Sequence, residues 1–206
     1  MSSMVSSRRC LRTAAIATLV VLTAGACGSE PEQAKGTPVT RPTAPALDAV
    51  APQHPAPGEK APVLEKIKYE LETRVLRMGG MVPKPTSSSC DTDAVGDKPQ
   101  KFTCSVKYLG IEVPFRVETT GGFIMTQYTA TPVKGGVITR EGVRATAWKR
   151  YGTLGGKTRD SLRCDDIPTV RLVPVGKPSG YRCYIGEGGL AGPYDVIIGA
   201  NGLSLR

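Results

Sequence analysis

The chain has 206 residues, of which 40% are hydrophobic and only 5% are aromatic. That length suits one ordinary domain or two small ones. The formal charge is +9, and it falls to +6 if a segment containing Arg8, Arg9 and Arg12 is removed. Because this charge is modest and no stacking aromatic residues interleave with the basic ones in a recognisable motif, the composition argues against a nucleic-acid-binding protein.

The N-terminus is typical of an export signal. Arg8, Arg9 and Arg12 precede an uncharged, largely apolar run from Thr13 to Thr23. This run is too short to cross a bilayer, which takes ~20 apolar residues, and it matches the core of a signal peptide. We therefore predict a signal peptide over residues 1–26. Because Ser7 to Leu11 also resembles part of a twin-arginine signal, both the Sec and the twin-arginine export routes stay open.

The end of this run resembles the bacterial lipobox. The small residues Ala24, Gly25 and Ala26 stand directly before Cys27. The resemblance implies that Cys27 is diacylated, with palmitate as a typical acyl chain, and becomes the mature N-terminus. We therefore expect the protein to be exported and anchored by this N-terminal lipid to the extracytoplasmic face of the cell membrane. The alternative is an ordinary signal peptide that is cleaved nearby and leaves Cys27 unmodified.

Residues 27–61 are predicted to form a disordered tether between this anchor and the folded part. They are rich in Pro and Ala and lack hydrophobic periodicity, so they cannot bury enough surface to offset the entropy of ordering. The prolines favour extended polyproline II, with a maximal reach on the order of 100 Å. His54, the only histidine of the chain, is expected to be a solvated linker residue.

A duplicated pattern organises the rest of the chain. In the first copy, an amphipathic helix with apolar residues at spacing three to four precedes strands that alternate apolar and polar residues. Gly79-Gly80 is expected to end this helix, and Leu109-Gly110 to form a tight turn. The landmarks of the copy are, in order, Leu64, Ile67, Leu71 and Val75, then Cys90, Phe102-x-Cys104-x-Val106, Val113-x-Phe115-x-Val117 and Gly121-Gly122-Phe123-x-Met125.

The second copy repeats this order more loosely. Its landmarks are Val143, Ala147, Tyr151 and Leu154, then Cys164, Tyr181-x-Cys183-x-Ile185, Tyr194-x-Val196-x-Ile198 and Asn201-Gly202-Leu203-x-Leu205. Thr139 is expected to cap its helix and Gly155-Gly156 to end it. We predict an α+β protein of two tandem repeats, residues 62–132 and 137–206, each with one amphipathic helix packed on a small antiparallel sheet.

The cysteines predict one disulfide in each repeat. Cys10 is lost with the signal peptide and Cys27 is acylated, so four cysteines remain, two in each copy. Local pairing joins Cys90 to Cys104 and Cys164 to Cys183, and the chain-entropy model gives ~3 kcal/mol for loops of these lengths. The alternative is a tetracysteine metal site. Neither pair has the spacing of a zinc knuckle, and an exported protein is in an oxidising compartment, so we expect disulfides, no metal and no other cofactor.

Each copy resembles the small cysteine-paired domain of unknown function that follows the lipobox in many actinobacterial lipoproteins. The matching positions of the first copy are Cys90, Cys104, Val106, Gly110, Val113 and Val117. The second copy has a longer loop between its cysteines and lacks the tight turn. The resemblance implies a fold and a cellular location only, because the family has no established activity. The arrangement is also similar, at the level of fold, to secreted β-lactamase-inhibitory proteins, which are tandem repeats with one disulfide per repeat.

The sequence does not favour an enzyme. No histidine lies in residues 62–206, which removes the usual general base and any Ser-His or Cys-His pair. Acidic residues follow the first cysteine of each copy, at Asp91 with Asp93 and at Asp165 with Asp166. They are candidates for a carboxylate pair or a weak calcium site, but adjacent acids on exposed turns are usually solvated.

We expect a non-catalytic binding or scaffolding module of the cell envelope. The alternative is an enzyme or enzyme regulator in cell-wall metabolism, similar to the inhibitor repeats. The copies diverge most at Asp165 to Gly180 and at Gly186 to Pro193, and loops on a rigid scaffold are the usual places for binding. The expected partner is an envelope protein or an anionic wall polymer. The predicted binding surface consists of Arg171, Lys177, Arg182 and Tyr184.

Overall fold

The computed structural model describes residues 35–42, 51–80, 82–122, 126–154, 157–158, 161–186, 192–199 and 202–206. The predicted signal peptide and the lipid attachment at Cys27 lie outside these ranges. So do residues 123–125, which include the last landmarks of the first copy, and residues 187–191, within the divergent stretch Gly186 to Pro193. Ala34–Arg206 form one compact unit. No helix within the described ranges has both the length and the apolar character that a membrane span needs.

The fold is α+β, as predicted, with two helices and mostly antiparallel strand pairing in the part of the chain that the structure describes. The elements in chain order are β1 (Thr37–Pro38), α1 (Val63–Met78), β2 (Thr86–Cys90), β3 (Gln100–Tyr108), β4 (Ile111–Thr119), β5 (Tyr128–Pro132), β6 (Gly136–Thr139), α2 (Arg140–Tyr151), β7 (Thr153–Leu154), β8 (Lys157–Thr158), β9 (Leu162–Cys164), β10 (Val170–Val173), β11 (Pro178–Ile185), β12 (Pro193–Gly199) and β13 (Gly202–Leu205).

Helix α1 forms where its apolar spacing predicts. All four residues of the predicted apolar stripe are buried. The helix ends at Met78, and Gly80 follows with a φ of +80°. Because glycine is the residue that tolerates this left-handed conformation best, the predicted Gly79-Gly80 stop is confirmed.

Helix α2 begins at its predicted N-cap, Thr139, but ends earlier than expected. Its last residue is Tyr151, and Leu154 belongs to strand β7 instead of the helix. The reason is local, because the Gly152 amide closes the helix on the Trp148 carbonyl at 2.7 Å. A Cβ at position 152 would lie 2.5 Å from the Trp148 ring, so the chain needs glycine here. The glycine pair expected to end the helix lies outside the described residues.

The first sheet has four antiparallel strands in the order β2-β3-β4-β5. Leu109 and Gly110 join β3 to β4 with φ values of 50° and 79°. Two successive positive φ values are what a two-residue type I′ hairpin turn needs, so the predicted tight turn is confirmed. The alternating residues that the two-residue period predicts to be inside are buried: Phe102, Cys104, Val106, Tyr108, Val113, Phe115 and Val117.

The second sheet has five strands in the order β1-β9-β11-β12-β13. Two short ribbons complete the described structure, one of β6 with β10 and one of β7 with β8. Both predicted disulfides are present: Cys90 is bonded to Cys104 and Cys164 to Cys183. Each disulfide joins residues that stand directly opposite one another on neighbouring strands.

One apolar core runs through both halves of the described chain. Helix α1 contacts β2 and β3 of the first sheet, and also β6 and β13 of the second half. Where the end of α1 meets the start of α2, the Thr139 hydroxyl donates to the Gly79 carbonyl at 2.6 Å. The predicted boundaries 62–132 and 137–206 therefore divide a continuous core.

Two pieces of the segment expected to be a disordered tether lie against this core. Thr37 and Pro38 pair with β9, and the Val39 amide donates to the Leu162 carbonyl at 2.8 Å. Val39 is only 5% exposed. Residues 51–61 lie along α1, where the Lys66 ammonium donates to the Glu59 carbonyl. The physical reason is that the edge of β9 offers unpaired backbone groups, which an extended, proline-rich chain can satisfy.

Candidate functional site

Two of the four residues predicted to form a binding surface lie together on β11. Arg182 and Tyr184 project from the same face because they are two residues apart on a strand. The Arg182 Nε donates to Asp195 Oδ1 at 2.9 Å, and the Tyr184 hydroxyl donates to Asp165 Oδ1 at 3.0 Å. About half of the Arg182 side-chain surface, 51%, is exposed. These contacts hold both side chains in place on an accessible face.

The other two predicted residues lie elsewhere. Arg171 is on β10, in a different sheet, and its Nη1 donates to the Tyr181 hydroxyl at 2.8 Å. Tyr181 packs against the core from the face of β11 opposite to Arg182. Lys177 is exposed in the connection before β11. The structure thus brings Arg182 and Tyr184 together and separates Arg171 from them.

The aspartate that directly follows the first cysteine of each half holds neighbouring backbone. Asp91 Oδ1 accepts the Thr103 amide at 2.8 Å, and Asp165 Oδ2 accepts the Arg182 amide at 2.7 Å. Within the described ranges, no group of three or more His, Cys, Asp or Glu side chains is placed to hold a metal ion. Asp91 and Asp165 therefore have a structural role.

A buried carboxylate on α1 gathers three hydrogen bonds that the sequence did not suggest. Glu72 is only 3% exposed. Its Oε1 accepts the Ser88 hydroxyl at 2.6 Å, and its Oε2 accepts the Thr86 hydroxyl at 2.5 Å. The same Oε2 lies 2.8 Å from Nε2 of His54, which belongs to the expected tether. We refer to His54, Glu72, Thr86 and Ser88 as the Glu72 cluster.

The cluster shifts the protonation of both of its titratable groups. Burial alone would raise the pKa of Glu72, because it removes water from the carboxylate. The hydrogen bonds from Ser88, Thr86 and His54 outweigh burial and hold that pKa below its ordinary value of 4.5. The hydrogen bond to Glu72 in turn raises the pKa of His54 above its ordinary value of 6.5. Glu72 is therefore ionised at neutral pH, and His54 gains affinity for a proton.

The order of groups in the cluster differs from that of a nucleophilic triad. In a triad the imidazole stands between the hydroxyl and the carboxylate, where it can take the hydroxyl proton. Here the carboxylate stands in the middle, and both Ser88 and His54 bond to Glu72. The cluster is therefore suited to holding β2 and residues 51–61 on α1. The expectation that His54 is a solvated linker residue is wrong, because its imidazole bonds to the buried Glu72 carboxylate of α1.

A pocket of about 460 Å³ opens beside the cluster, between α1, β2 and residues 54–61. The charged groups around it are Glu65, Lys68 and Glu72, together with His54 when it is protonated. The Tyr69 ring meets the His54 ring edge-on, with centroids 5.5 Å apart. Glu65, Lys68, Tyr69 and Glu72 belong to α1 and face His54. The protonation of His54 therefore reports whether residues 51–61 lie against α1.

We predict that His54 titrates above pH 6.5 in the folded protein. The sign follows from its raised pKa: pairing with Glu72 stabilises the folded state fully below pH 6.5 and is lost as the pH rises through the folded value. Because His54 is the only histidine, its imidazole carbon resonance can be followed by NMR without ambiguity. Glu72→Gln should return the midpoint to the ordinary value, whereas Glu65→Gln should change it little. A wild-type midpoint at or below 6.5 would refute the pairing.

A signal for this cluster was present in the sequence. Glu72 directly follows Leu71 and precedes Leu76 by four residues, so it lies on the buried side of α1. A carboxylate in that position needs hydrogen-bonding partners.

A comparison with protein-family models, curated proteins and solved structures found no match for this chain.

Proposed function

We propose that the protein is a non-catalytic lipoprotein of the cell envelope that acts as a binding or scaffolding module on the outer face of the cytoplasmic membrane. The observation that carries this proposal is the pair of disulfides, one in each sheet. Structural disulfides persist in oxidising compartments, and export is what the basic and apolar N-terminal residues predict. A binding role is favoured because Glu72, Asp91 and Asp165 all serve to hold the fold.

Replacing Cys27 with alanine should release the protein from the membrane into the medium. The proposed anchor is a lipid on this thiol, and alanine has no group to acylate. Cell fractionation followed by immunoblotting measures the change. Ser29→Ala serves as the matched control and should leave the protein in the membrane fraction. A Cys27→Ala protein that stays in the membrane with an intact N-terminus would contradict the lipid anchor.

We further propose that the two halves are tandem repeats of one unit. In each half, four strands that follow the helix form a sheet in their chain order, β2-β3-β4-β5 and β9-β11-β12-β13, although β10 comes between β9 and β11 in the chain and pairs with β6 instead. The Asp91 amide donates to the Thr103 carbonyl at 3.0 Å, just as the Asp165 amide donates to the Arg182 carbonyl at 2.8 Å. In both cases the aspartate carboxylate also accepts the amide of the residue before the second cysteine. A shared detail of this kind supports duplication better than strand order alone.

The proposed binding surface is the exposed face of β11 around Arg182 and Tyr184. Asp195 and Asp165 hold these side chains, so a partner does not have to order them. The Lys35 ammonium lies 5.6 Å from the centre of the Tyr184 ring and adds positive charge at the same place. Asp165 and Asp195 offset the charge of Arg182 and Lys35, so the proposed anionic partner, a wall polymer or an acidic face of an envelope protein, would bind through the donor groups of these two cations and not through an excess of positive charge.

Replacing Arg182 with glutamine should weaken binding to insoluble anionic wall polymer by about tenfold, the usual effect of losing one charged hydrogen bond. Arg171→Gln is the matched control, because it removes the same charge from an exposed arginine that is not part of this surface. Co-sedimentation over a range of polymer concentrations gives the affinities. Equal weakening by both variants would mean that binding follows total charge and would exclude this surface.

A further inference from the structure

A second cavity, of about 540 Å³, lies beside the start of α2. Arg41 of the N-terminal segment, Lys84 of the connection after α1, and Arg140 and Arg144 of α2 line it. Among the described residues that line it, Glu141 is the only acidic one. We refer to this cavity as the Arg144 pocket. Its lining carries three more positive than negative side chains.

Three of these four cations have no side-chain partner among the described residues. The Arg140 Nε donates to the Ile167 carbonyl at 2.5 Å, and its Nη2 lies 3.6 Å from Asp166 Oδ1. Among the residues that the structure describes, the side chains of Arg41, Lys84 and Arg144 make no hydrogen bond or ion pair. Like charges brought together without neutralisation repel one another, so a bound anion would relieve this repulsion.

Side chains, rather than the end of the helix, carry this recognition. The Arg140 amide already donates to the Thr169 carbonyl, and the Gly142 amide to the Thr139 hydroxyl. The helix start therefore has few amides left for a ligand. Val82, 4% exposed, and the half-buried Leu109 give the pocket an apolar wall. An anionic group with an organic body attached fits such a lining.

We propose that the Arg144 pocket binds a phosphate group that carries two negative charges, either on a soluble phosphate ester or on the headgroup of an anionic lipid. Guanidinium groups pair with phosphate oxygens through two parallel hydrogen bonds, and three arginines line this site. A phosphate monoester concentrates its two negative charges on one group, which suits a pocket lined by four cationic side chains. The site is separate from the face of β11 and does not rest on the proposed function.

The test uses the full chain with Cys27→Ala, so that a lipid anchor cannot attach it to vesicles. Isothermal titration calorimetry is carried out with inorganic pyrophosphate as the soluble probe. Flotation measures binding to phosphatidylcholine vesicles with and without phosphatidic acid. The wild-type pocket should bind at least one probe with a Kd below about 1 mM. Pyrophosphate binding alone assigns the site to a soluble ester, and vesicle binding that pyrophosphate displaces assigns it to a lipid headgroup.

Three variants decide whether the pocket is responsible. Arg144→Glu should weaken binding by roughly tenfold to a hundredfold. Arg116→Glu changes the charge equally on an exposed strand position outside the pocket and should alter binding by less than about twofold. Glu141→Gln removes the one repulsive carboxylate and should tighten binding, which a folding defect could not imitate. Binding of neither probe, equal weakening by Arg144→Glu and Arg116→Glu, or no tightening by Glu141→Gln overturns the proposal.

Discussion

Replacing Gly142 with alanine is expected to lower the free energy of unfolding by about 3 kcal/mol. The direction is notable because alanine is the better helix former by ~1 kcal/mol. Gly142 is buried in the first turn of α2, and a Cβ there would lie 2.0 Å from the Gly79 oxygen and 2.7 Å from the Gly80 Cα. Backbone atoms cannot rotate aside, so α2 would have to move away from the end of α1. That movement would also break the hydrogen bond from Thr139 to Gly79.

Urea unfolding followed by circular dichroism measures this loss. Gly58→Ala makes the same chemical change where an added Cβ meets nothing within 4 Å, and it should be neutral or slightly stabilising. A Gly142→Ala protein as stable as wild type would mean that the two helices do not depend on their close contact. It would also favour halves that fold separately.

Local patterns predicted the parts of the fold that depend on neighbours in sequence. Helix α1 and the strands of the first sheet follow from the helical and two-residue periods, because those periods record which side of each element is buried. The turn at Leu109-Gly110 follows from the conformations that glycine permits. The disulfides followed from counting cysteines, since each half contains two that can be paired locally.

The joint between the halves could not be predicted in this way. A glycine in the first turn of a helix looks like a weak position, and only the backbone of Gly79 and Gly80 explains why Gly142 is there. Docking of the N-terminal segment was equally hidden. Val39 is a single apolar residue among polar ones and prolines, without period. Its burial depends on an open strand edge at β9 that the chain supplies much later.

The candidate surface was only partly predictable for the same reason. Arg171 and Arg182 are near one another in sequence, and both are basic, so a sequence argument places them together. The structure assigns them to different sheets, because β10 pairs with β6 and β11 pairs with β9 and β12. Strand pairing over long distances, rather than charge or composition, decides which basic residues share a face.

Replacing Glu72 with alanine is expected to lower the free energy of unfolding by about 2 to 4 kcal/mol. The change removes the acceptor for the Thr86 and Ser88 hydroxyls and for His54, and it leaves space where the buried side chain was. Glu65→Ala is the matched control on the same helix. Glu65 is 53% exposed and pairs only with Lys68 at the surface, so its loss should cost less than about 1 kcal/mol.

The destabilisation caused by Glu72→Ala should depend on pH in a defined way. Because the folded pKa of Glu72 is depressed, its contribution is complete above pH 4.5 and is lost as the pH falls through that folded value. Because the folded pKa of His54 is raised, its contribution is complete below pH 6.5 and is lost as the pH rises through its own folded value.

Urea unfolding should therefore show the largest difference between wild type and Glu72→Ala from pH 4.5 to 6.5. The alkaline decrease should be the smaller one, since solvent screens the half-exposed His54 side chain. A difference that stays constant with pH would contradict the charged pairing of Glu72 and leave only its packing to explain the loss.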